Sequence, residues 1–210
     1  MKNMKAGKTI WIARHGNRAD FVDPTWRLRA ARPHDPPLSP DGVEQARKLG
    51  RRLKGEPIRH IFASPFLRTL ETASAVAAEL KVPVKIEHGA GEFLNPEWFS
   101  CAPEFLSGAD LHGRFPQLDA SYASRGASRY PELDEELHCW PRAGETARKI
   151  AQEFDGDLLF VCHGATLLGL SYGLVAGRPP IHCGLTSLVK IVWNGTEWEM
   201  ALNGDTSHLD

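Results

Sequence analysis

The feature that most limits how this chain can fold is an apolar segment that ends abruptly in cationic residues. Residues 8–13, KTIWIA, are apolar enough for a central strand, and they lead directly into a cluster that contains Arg14, His15 and Arg18. A strand that ends in such a cluster either stops at solvent or delivers the cations to an anion. The remaining sequence decides between these two outcomes.

Composition places the chain among ordinary globular proteins. Its 210 residues are 42% hydrophobic and 24% charged, which suits one domain with a buried core that needs no disulfide or metal. The formal net charge of -1 gives no reason to expect a nucleic acid or a membrane as partner. Any anion site must therefore be a local cluster of arginines.

The cysteines and the first residues indicate a cytoplasmic protein. Cys101, Cys139, Cys162 and Cys183 show no C-x-x-C spacing, so we expect free thiols in a reducing compartment. No continuous apolar segment of signal-peptide length precedes Arg14, and no apolar run approaches the roughly 20 residues of a membrane span.

Strand-like and helix-like segments alternate along the chain. Strands are predicted at 8–13, 58–64 and 82–87, in GDLLFVCHG, and in a closing hairpin formed by TSLVKIVW and EWEMALN. Helices are predicted at 40–54 and 65–80, in GETARKIAQEF and in ATLLGLSYGLVAG, which ends at Gly177. Ser39 and Ser64, each followed by proline, are the predicted N-caps of the first two. The alternation predicts a three-layer α/β/α fold with a mixed, mostly parallel central sheet.

Residues 93–140 differ from the rest of the chain, because they are rich in aromatic residues and proline and show no clear period. We interpret them as a cap-like insertion within a single domain of residues 1–210. The aromatic side chains either form a substrate pocket or pack the insertion onto the core, and the sequence leaves both alternatives open.

Three predicted strands end in residues that suit an anion. His15 and His163 each begin a His-Gly pair at a strand end, and Arg68 lies in the first helical turn after a third strand. Ligands of open α/β sheets bind outside the carboxyl ends of the strands, and helix N-termini favour anions. Arg14, Arg18 and Arg68 are therefore predicted to surround one phosphate group, which the guanidinium fork fits well.

These motifs resemble those of the histidine phosphatase superfamily, the phosphoglycerate-mutase-like proteins. ARHGNRAD resembles the family's Arg-His-Gly signature, ASPFLRTLETA its Ser-Pro-x-x-Arg-x-x-x-Thr-Ala element, and VCHGATL its second His-Gly. PLSPDGVEQARKLGRRL resembles the segment between the first two. The similarity runs from about residue 9 to 92 and again from about 143 to 177.

The resemblance implies a role for each matching position. His15 would be the nucleophile that becomes phosphorylated, and Glu92, in EHGAGEF, would be the proton donor. The implied catalytic residues are His15, Glu92 and His163. The implied phosphate-binding residues are Arg14, Arg18, Arg68 and His163.

Within the superfamily, RHGNRAD is most similar to the Arg-His-Gly-Glu-Arg-x-Asp form of one group of phosphatases. This group comprises the phosphatase domain of the suppressor of T-cell receptor signalling proteins and the ecdysteroid-phosphate phosphatases. GEFLNPEWF also resembles their Gly-x-x-Glu segment with a nearby tryptophan. Asn17 replaces the glutamate of that group and the early loop is shorter, so substrate specificity does not transfer.

Three hypotheses for the function remain open. The first is a metal-independent phosphatase that hydrolyses phosphomonoesters, of small molecules or phosphoproteins, through a phosphohistidine at His15. The second is a phosphoglycerate or other sugar-phosphate mutase, and the third is a non-catalytic phosphate-ester binding protein. Glu97 is a rival proton donor. No cofactor or metal is expected, because there is neither an H-E-x-x-H motif nor a Cys/His quartet. The sequence does not indicate the oligomeric state.

Overall fold

A computed structural model describes residues 5–210 and contains one six-stranded sheet within them. The strands are β1 (Thr9–Arg14), β2 (Ile58–Ala63), β3 (Val84–Ile86), β4 (Asp157–Cys162), β5 (Leu188–Trp193) and β6 (Trp198–Asp205). They lie in the order β3-β2-β4-β1-β5-β6. β1 to β4 are parallel to one another, and β5 and β6 are antiparallel to their neighbours. The predicted mixed, mostly parallel sheet is confirmed.

Helices connect these strands. They are α1 (Ala19–Val22), α2 (Trp26–Arg29), α3 (Pro40–Leu53), α4 (Leu67–Leu80), α5 (Gly108–Arg114), α6 (Trp140–Glu153) and α7 (Gly164–Tyr172). Short 3₁₀ turns lie at His88–Ala90 and Ser207–Leu209, and a π-helical turn at Glu135–Cys139 leads into α6. The last predicted helix is shorter than expected, because it ends at Tyr172 rather than at Gly177.

The side chains of β1 show how the three layers form. Trp11 and Ala13 pack in the core between the sheet and helices α3 and α4, whereas Ile10 and Ile12 pack in the core beneath α6 and α7. Successive side chains of a strand point to opposite faces, so one strand contributes to both cores. The sheet is thus buried on both faces, and its strand ends are left to carry polar residues.

The two predicted N-caps have different outcomes. The Ser39 hydroxyl accepts a hydrogen bond of 3.2 Å from the Gly42 amide, so the first cap is confirmed. The prediction for Ser64 is wrong, since the helix begins at Leu67. There the carboxylate of the buried Asp35 accepts a hydrogen bond of 2.7 Å from the Leu67 amide. A residue distant in sequence therefore caps this helix.

Aromatic residues of the 93–140 segment pack mainly against the core. Phe99 forms a buried cluster with Phe66 and Leu94, against which Phe105 and Tyr130 also pack. The four cysteines are free thiols, as predicted. None of the helices in the described part of the chain combines the length and the apolar character that a membrane span requires. The predicted domain bounds include residues 1–4, which lie outside the described residues.

Candidate active site

The residues implied as catalytic meet at the carboxyl ends of four neighbouring parallel strands. Arg14 ends β1 and His15 follows it, while His163 follows β4. Arg68 lies in the first turn of α4, directly after β2, and Glu92 follows β3 and its 3₁₀ turn. Because these strands are adjacent in the sheet, segments far apart in sequence deliver their side chains to one place.

The two histidines are neighbours because β1 and β4 are paired in register. Arg14 is paired with Cys162, so the next residue of each strand is a histidine. The ring centroids of His15 and His163 lie 5.3 Å apart, and both residues are buried.

His15 presents a neutral imidazole with a defined proton position. Its Nδ1 lies 2.7 Å from the carbonyl oxygen of Gly16, which can only accept, so Nδ1 carries the proton and Nε2 the lone pair. Burial, with Arg68 and His163 nearby, holds the pKa of His15 well below its ordinary 6.5. A side chain at Gly16 would place its Cβ 2.6 Å from the carbonyl oxygen of Gly42, so this tight turn requires glycine.

Arg68 is a buried cation with unused hydrogen-bond donors. Its side chain is 1% exposed, and Nη2 lies 3.3 Å from a Glu92 carboxylate oxygen. Nε and Nη1 have no hydrogen-bond partner among residues 5–210. Burial lowers the pKa of Arg68 to about 10, so the group remains charged at neutral pH. Buried donors are normally satisfied, and an oxyanion would satisfy these.

A second arginine and a helix N-terminus lie beside this cation. Arg14 donates from Nη1 to the carbonyl oxygen of Cys183 at 2.8 Å, and its buried Nε has no partner within the described residues. Helix α7 begins at Gly164 without a side-chain cap, and Gly164 lines the same cavity as Arg14. Free amide groups at a helix N-terminus favour an anion.

Arg18 lies in the cavity wall but differs from the other two arginines. Its Nε donates to the Asp20 carboxylate at 2.9 Å, and its guanidinium stacks 4.3 Å from the ring centroid of Phe21. Asp20, whose side chain is 4% exposed, also binds Arg27 at 3.0 Å. Arg18 is therefore held by an internal partner, whereas Arg68 retains unused donors. Asp20 thus forms ion pairs with both Arg18 and Arg27.

Glu92 lies among cationic and polar partners. One carboxylate oxygen lies 3.2 Å from Nδ1 of His163 and 3.3 Å from Arg68. Burial raises the pKa of Glu92, but His163 and Arg68 outweigh this effect and hold the pKa well below the usual range. Burial also lowers the pKa of His163 to about 4, and the Ser64 hydroxyl lies 2.7 Å from its Nε2. The free site thus holds a carboxylate and neutral imidazoles at neutral pH.

A cavity of about 550 Å³ opens over Arg14, Arg68 and Glu92. Its wall includes the cations Arg14, Arg18, Arg27 and Arg68, the acids Glu92, Glu97 and Glu135, and the aromatic residues Phe21, Trp98 and Phe99. Phe21 and Trp98 are more than half exposed, so they form the outer rim. Sequence reasoning missed Arg27, Glu135 and Phe21, which lie in segments without clear periodicity.

One group of possible metal ligands exists within the described residues, and it is the site itself. Ligand atoms of His15, Glu92 and His163 lie within 4.8 Å of one another. Arg68 and Arg14 border the same cavity, and two cations there oppose the binding of a divalent metal ion. The donor set therefore suits an anion better than a metal.

Residues 10–206 match the family model of the histidine phosphatase superfamily (branch 1). The chain belongs to this superfamily. It is 39% identical, over 96% of its length, to the transcription factor tau 55 kDa subunit of Saccharomyces cerevisiae, of which it spans 56%. It is 26% identical, over 82% of its length, to the ecdysteroid-phosphate phosphatase of Drosophila melanogaster, of which it spans 27%. These two relatives are thus considerably longer than the chain.

Other members of the superfamily extend the comparison. The probable phosphoglycerate mutase of Yersinia pestis is 25% identical over 96% of the chain and 94% of its own length. The crystal structure of the ecdysone phosphate phosphatase of Bombyx mori with tungstate superposes with a TM-score of 0.75. It covers 94% of this chain and 93% of that chain at 21% identity, which shows the shared fold. The relatives therefore include both phosphatases and mutases.

The unused donors of Arg68 predict that Arg68→Lys is not a conservative change in this histidine phosphatase family member. Lysine keeps the charge but loses the planar fork that holds two oxygens. We expect kcat/KM for para-nitrophenyl phosphate to fall about tenfold or more, because two charge-assisted hydrogen bonds become at most one. Arg51→Lys is the matched control, since Arg51 is an exposed arginine with one ion pair to Glu44. Equal kinetics for the two variants would show that Arg68 does not bind the phosphoryl group.

Proposed function

We propose that this protein is a metal-independent phosphatase that hydrolyses phosphomonoesters through a phosphohistidine at His15. The observation that supports it most is the pairing of a neutral His15, protonated on Nδ1, with the buried unused donors of Arg68. The substrate would be a small-molecule or phosphoprotein ester whose organic group lies against Trp98 and Phe99. The free thiols agree with the cytoplasm as its compartment.

In the first step the lone pair of His15 Nε2 attacks phosphorus in line with the ester oxygen. The N–P bond forms as the P–O bond breaks, and the leaving oxygen takes a proton from Glu92. The proton on Nδ1 stays hydrogen-bonded to the Gly16 carbonyl and stabilises the charge that develops on the ring. Arg68 and Arg14 stabilise the equatorial oxygens of the transferring group.

In the second step water attacks the phosphohistidine. The Glu92 carboxylate accepts a proton from the water as the new P–O bond forms and the N–P bond breaks. Inorganic phosphate leaves and His15 recovers its lone pair. Glu92, whose pKa is depressed in the free site, then releases its proton to water, so that the site returns to its starting state. One carboxylate thus serves as acid and then as base. Its position supports this dual role, because a Glu92 carboxylate oxygen lies within 4.8 Å of a ring nitrogen of His15.

The mutase hypothesis is disfavoured by the charge of the outer cavity. A mutase has to rebind a phosphorylated acid next to the phosphohistidine. Glu97 and Glu135 line the wall of this cavity and would repel such a product. The cations Arg18 and Arg27 lie in the same wall, but Asp20 pairs with both and offsets part of their charge. A phosphatase does not have to rebind such a product, because water takes its place in the second step.

A non-catalytic phosphate-ester binding role is the candidate of another class. The name of the yeast relative, a transcription factor subunit, favours it as an alternative, because that name states no catalytic activity. His15 and Glu92 oppose this alternative, since a binding site needs neither a neutral nucleophile nor a proton donor. The intact pair is the feature that a purely binding protein has no reason to keep.

Turnover of para-nitrophenyl phosphate by the pure protein tests the proposal. We expect steady release of nitrophenol and inorganic phosphate in equal amounts, unchanged by a chelator such as EDTA. Loss of activity with EDTA, restored by a metal ion, would contradict the metal-independent mechanism. Binding of inorganic phosphate without turnover would support the binding role instead, and transfer of phosphate to 3-phosphoglycerate would support a mutase.

The titration of the site predicts an acidic optimum for kcat/KM. The pKa values of His15 and His163 lie below the ordinary 6.5, that of His163 at about 4, so the imidazoles stay neutral as the pH falls below 6.5. Because the pKa of Glu92 is depressed, the proton for the leaving group has to arrive on the substrate monoanion, which is lost above about pH 6. We therefore expect kcat/KM to fall as the pH rises through about 6, where the substrate monoanion is lost. It should fall again only well below pH 6.5, where His15 gains a proton and loses its lone pair. A pH profile with a maximum above neutrality would show that Glu92 obtains its proton in another way.

A further inference from the structure

Arg142, in the first turn of α6, is a buried arginine outside the implied catalytic set. Its side chain is 10% exposed, and its guanidinium donates to backbone carbonyl oxygens around Glu92. Nη1 donates to Gly89 at 2.9 Å and to Gly91 at 3.2 Å, and Nη2 donates to Glu92 itself at 3.1 Å. One rigid fork thus holds the chain on the N-terminal side of the proton donor and at the donor itself.

Glu132 completes this arrangement from the other side. Its carboxylate accepts from Nε of Arg142 at 2.7 Å and from Nη2 at 2.9 Å, and also from the Leu94 amide at 3.0 Å. The Glu132 amide donates back to the Leu94 carbonyl at 3.0 Å. The ion pair therefore fixes the backbone two residues after Glu92 as well.

The segment needs such support because it belongs to no regular element. The 3₁₀ turn ends at Ala90, and residues 91–94 belong to neither helix nor strand. The carbonyl groups of Gly91 and Glu92 find side-chain partners instead: both accept from Arg142, and Gly91 also accepts from the Thr166 hydroxyl at 2.6 Å. A carboxylate on an unsupported loop would not stay at hydrogen-bond distance from a leaving oxygen.

Stability alone is a weak reason for this ion pair. Taking two charges out of water costs nearly as much as their attraction returns, so a buried pair often stabilises a protein no better than apolar residues do. Arg142 and Glu132 also line a separate cavity of about 700 Å³, whose wall includes neither Arg68 nor Glu92. Their contacts point to the backbone of Glu92 rather than to a reacting atom.

We propose that Arg142, with Glu132 as its counterion, is a positioning residue that places the Glu92 carboxyl group for proton transfer to the leaving oxygen. The inference rests on the proposed phosphatase function and on Glu92 as the proton donor. Arg142 touches no reacting group, so its effect has to pass through the backbone of residues 89–94.

A series of para-substituted phenyl phosphates separates positioning from stability. The esters are similar in size and differ in how much their leaving phenol needs a proton. Arg142→Lys keeps the charge, but one ammonium group cannot span the three carbonyls. We expect kcat/KM for phenyl phosphate to fall by about tenfold to 10²-fold, the effect of a misplacement near 1 Å. For para-nitrophenyl phosphate kcat/KM should fall by less than about threefold, because nitrophenolate leaves without being protonated.

Two further variants complete the experiment. Arg148→Lys is the matched control, since Arg148 lies on the same helix and donates to the Gly173 carbonyl at 3.0 Å. Arg148→Lys should leave kcat/KM unchanged for both esters. The double variant of Arg142→Lys and Glu92→Gln should have the same kcat/KM for phenyl phosphate as Glu92→Gln alone, because both residues act on one proton transfer. If Arg142→Lys does not fold, Glu132→Gln takes its place, since it loosens the same segment and predicts the same contrast between esters.

The outcomes distinguish this inference from the proposed function. An inactive wild-type protein would overturn both. A wild-type phosphatase whose Arg142→Lys variant loses activity equally on all esters, in step with a lower Tm, would overturn the positioning role alone. The same holds if the losses from Arg142→Lys and Glu92→Gln multiply in the double variant.

Discussion

Replacing His15 with alanine is expected to abolish turnover while the protein stays folded. Loss of the nucleophile from a hydrolase that forms a covalent intermediate lowers kcat on the order of 10⁶-fold. The imidazole makes its hydrogen bond to the adjacent Gly16, so the fold loses little with it. One lost hydrogen bond costs about 1 kcal/mol, which lowers the Tm by about 2–4 °C in a chain of this size.

Labelling of the enzyme tests this prediction directly. Brief exposure to a ³²P-labelled ester, followed by an alkaline quench, should leave label on the wild type and none on His15→Ala. Alkali is needed because phosphohistidine is unstable in acid. His60→Ala is the matched control, since His60 lies on β2 outside the cavity and its Nε2 lies 3.2 Å from a backbone carbonyl oxygen. Label on a serine or a cysteine would contradict the mechanism.

Residues that follow directly from strand ends were predictable from the sequence. Arg14, His15 and His163 come next to apolar runs that are long enough to identify as strands. In a parallel sheet, the carboxyl ends of the strands lie at one edge, so a shared edge for these residues was predictable. The pairing of β1 with β4, which makes the two histidines neighbours, required the structure. Arg68 was predictable from the same rule, because it lies in the first helical turn after the end of a strand.

Contacts between distant segments were not predictable. Ser64 has the local pattern of an N-cap, yet its hydroxyl lies 2.7 Å from His163, and Asp35 caps the helix in its place. Arg142 lies in a helix, and the spacing of the apolar residues predicts only that helix. It does not predict that the Arg142 side chain donates to backbone carbonyls some 50 residues earlier in the chain. Such roles depend on packing, which the periodicity of one segment does not encode.

The charge state of Glu92 also required the structure. The family resemblance implies a proton donor at this position, but a carboxyl group between His163 and Arg68 has a depressed pKa and is ionised in the free protein. In the proposed mechanism, a bound phosphate ester would change this balance, because its negative charge would neutralise Arg68 and raise the pKa of Glu92. The substrate would then help to protonate the proposed proton donor.

Glu92→Gln is expected to separate the two chemical steps. Protonation of the leaving group matters most for a poor leaving group, so phosphorylation of His15 by an alkyl phosphate should slow by about 10²–10⁴-fold, the usual contribution of general acid catalysis. A nitrophenolate leaves readily without a proton, and para-nitrophenyl phosphate should still phosphorylate His15. Hydrolysis of the phosphohistidine then stalls with both esters, because glutamine cannot accept a proton from water.

Rapid mixing reveals this contrast as a burst. With para-nitrophenyl phosphate, Glu92→Gln should release about one nitrophenol per site and then turn over slowly, the behaviour of an accumulating covalent intermediate. With the alkyl ester no burst should occur. Glu97→Gln is the control, since Glu97 is an exposed carboxylate in the same cavity wall and should behave like the wild type. A burst from Glu97→Gln, with both esters slowed equally by Glu92→Gln, would assign the proton transfer to Glu97 and leave Glu92 as a partner of Arg68 and His163.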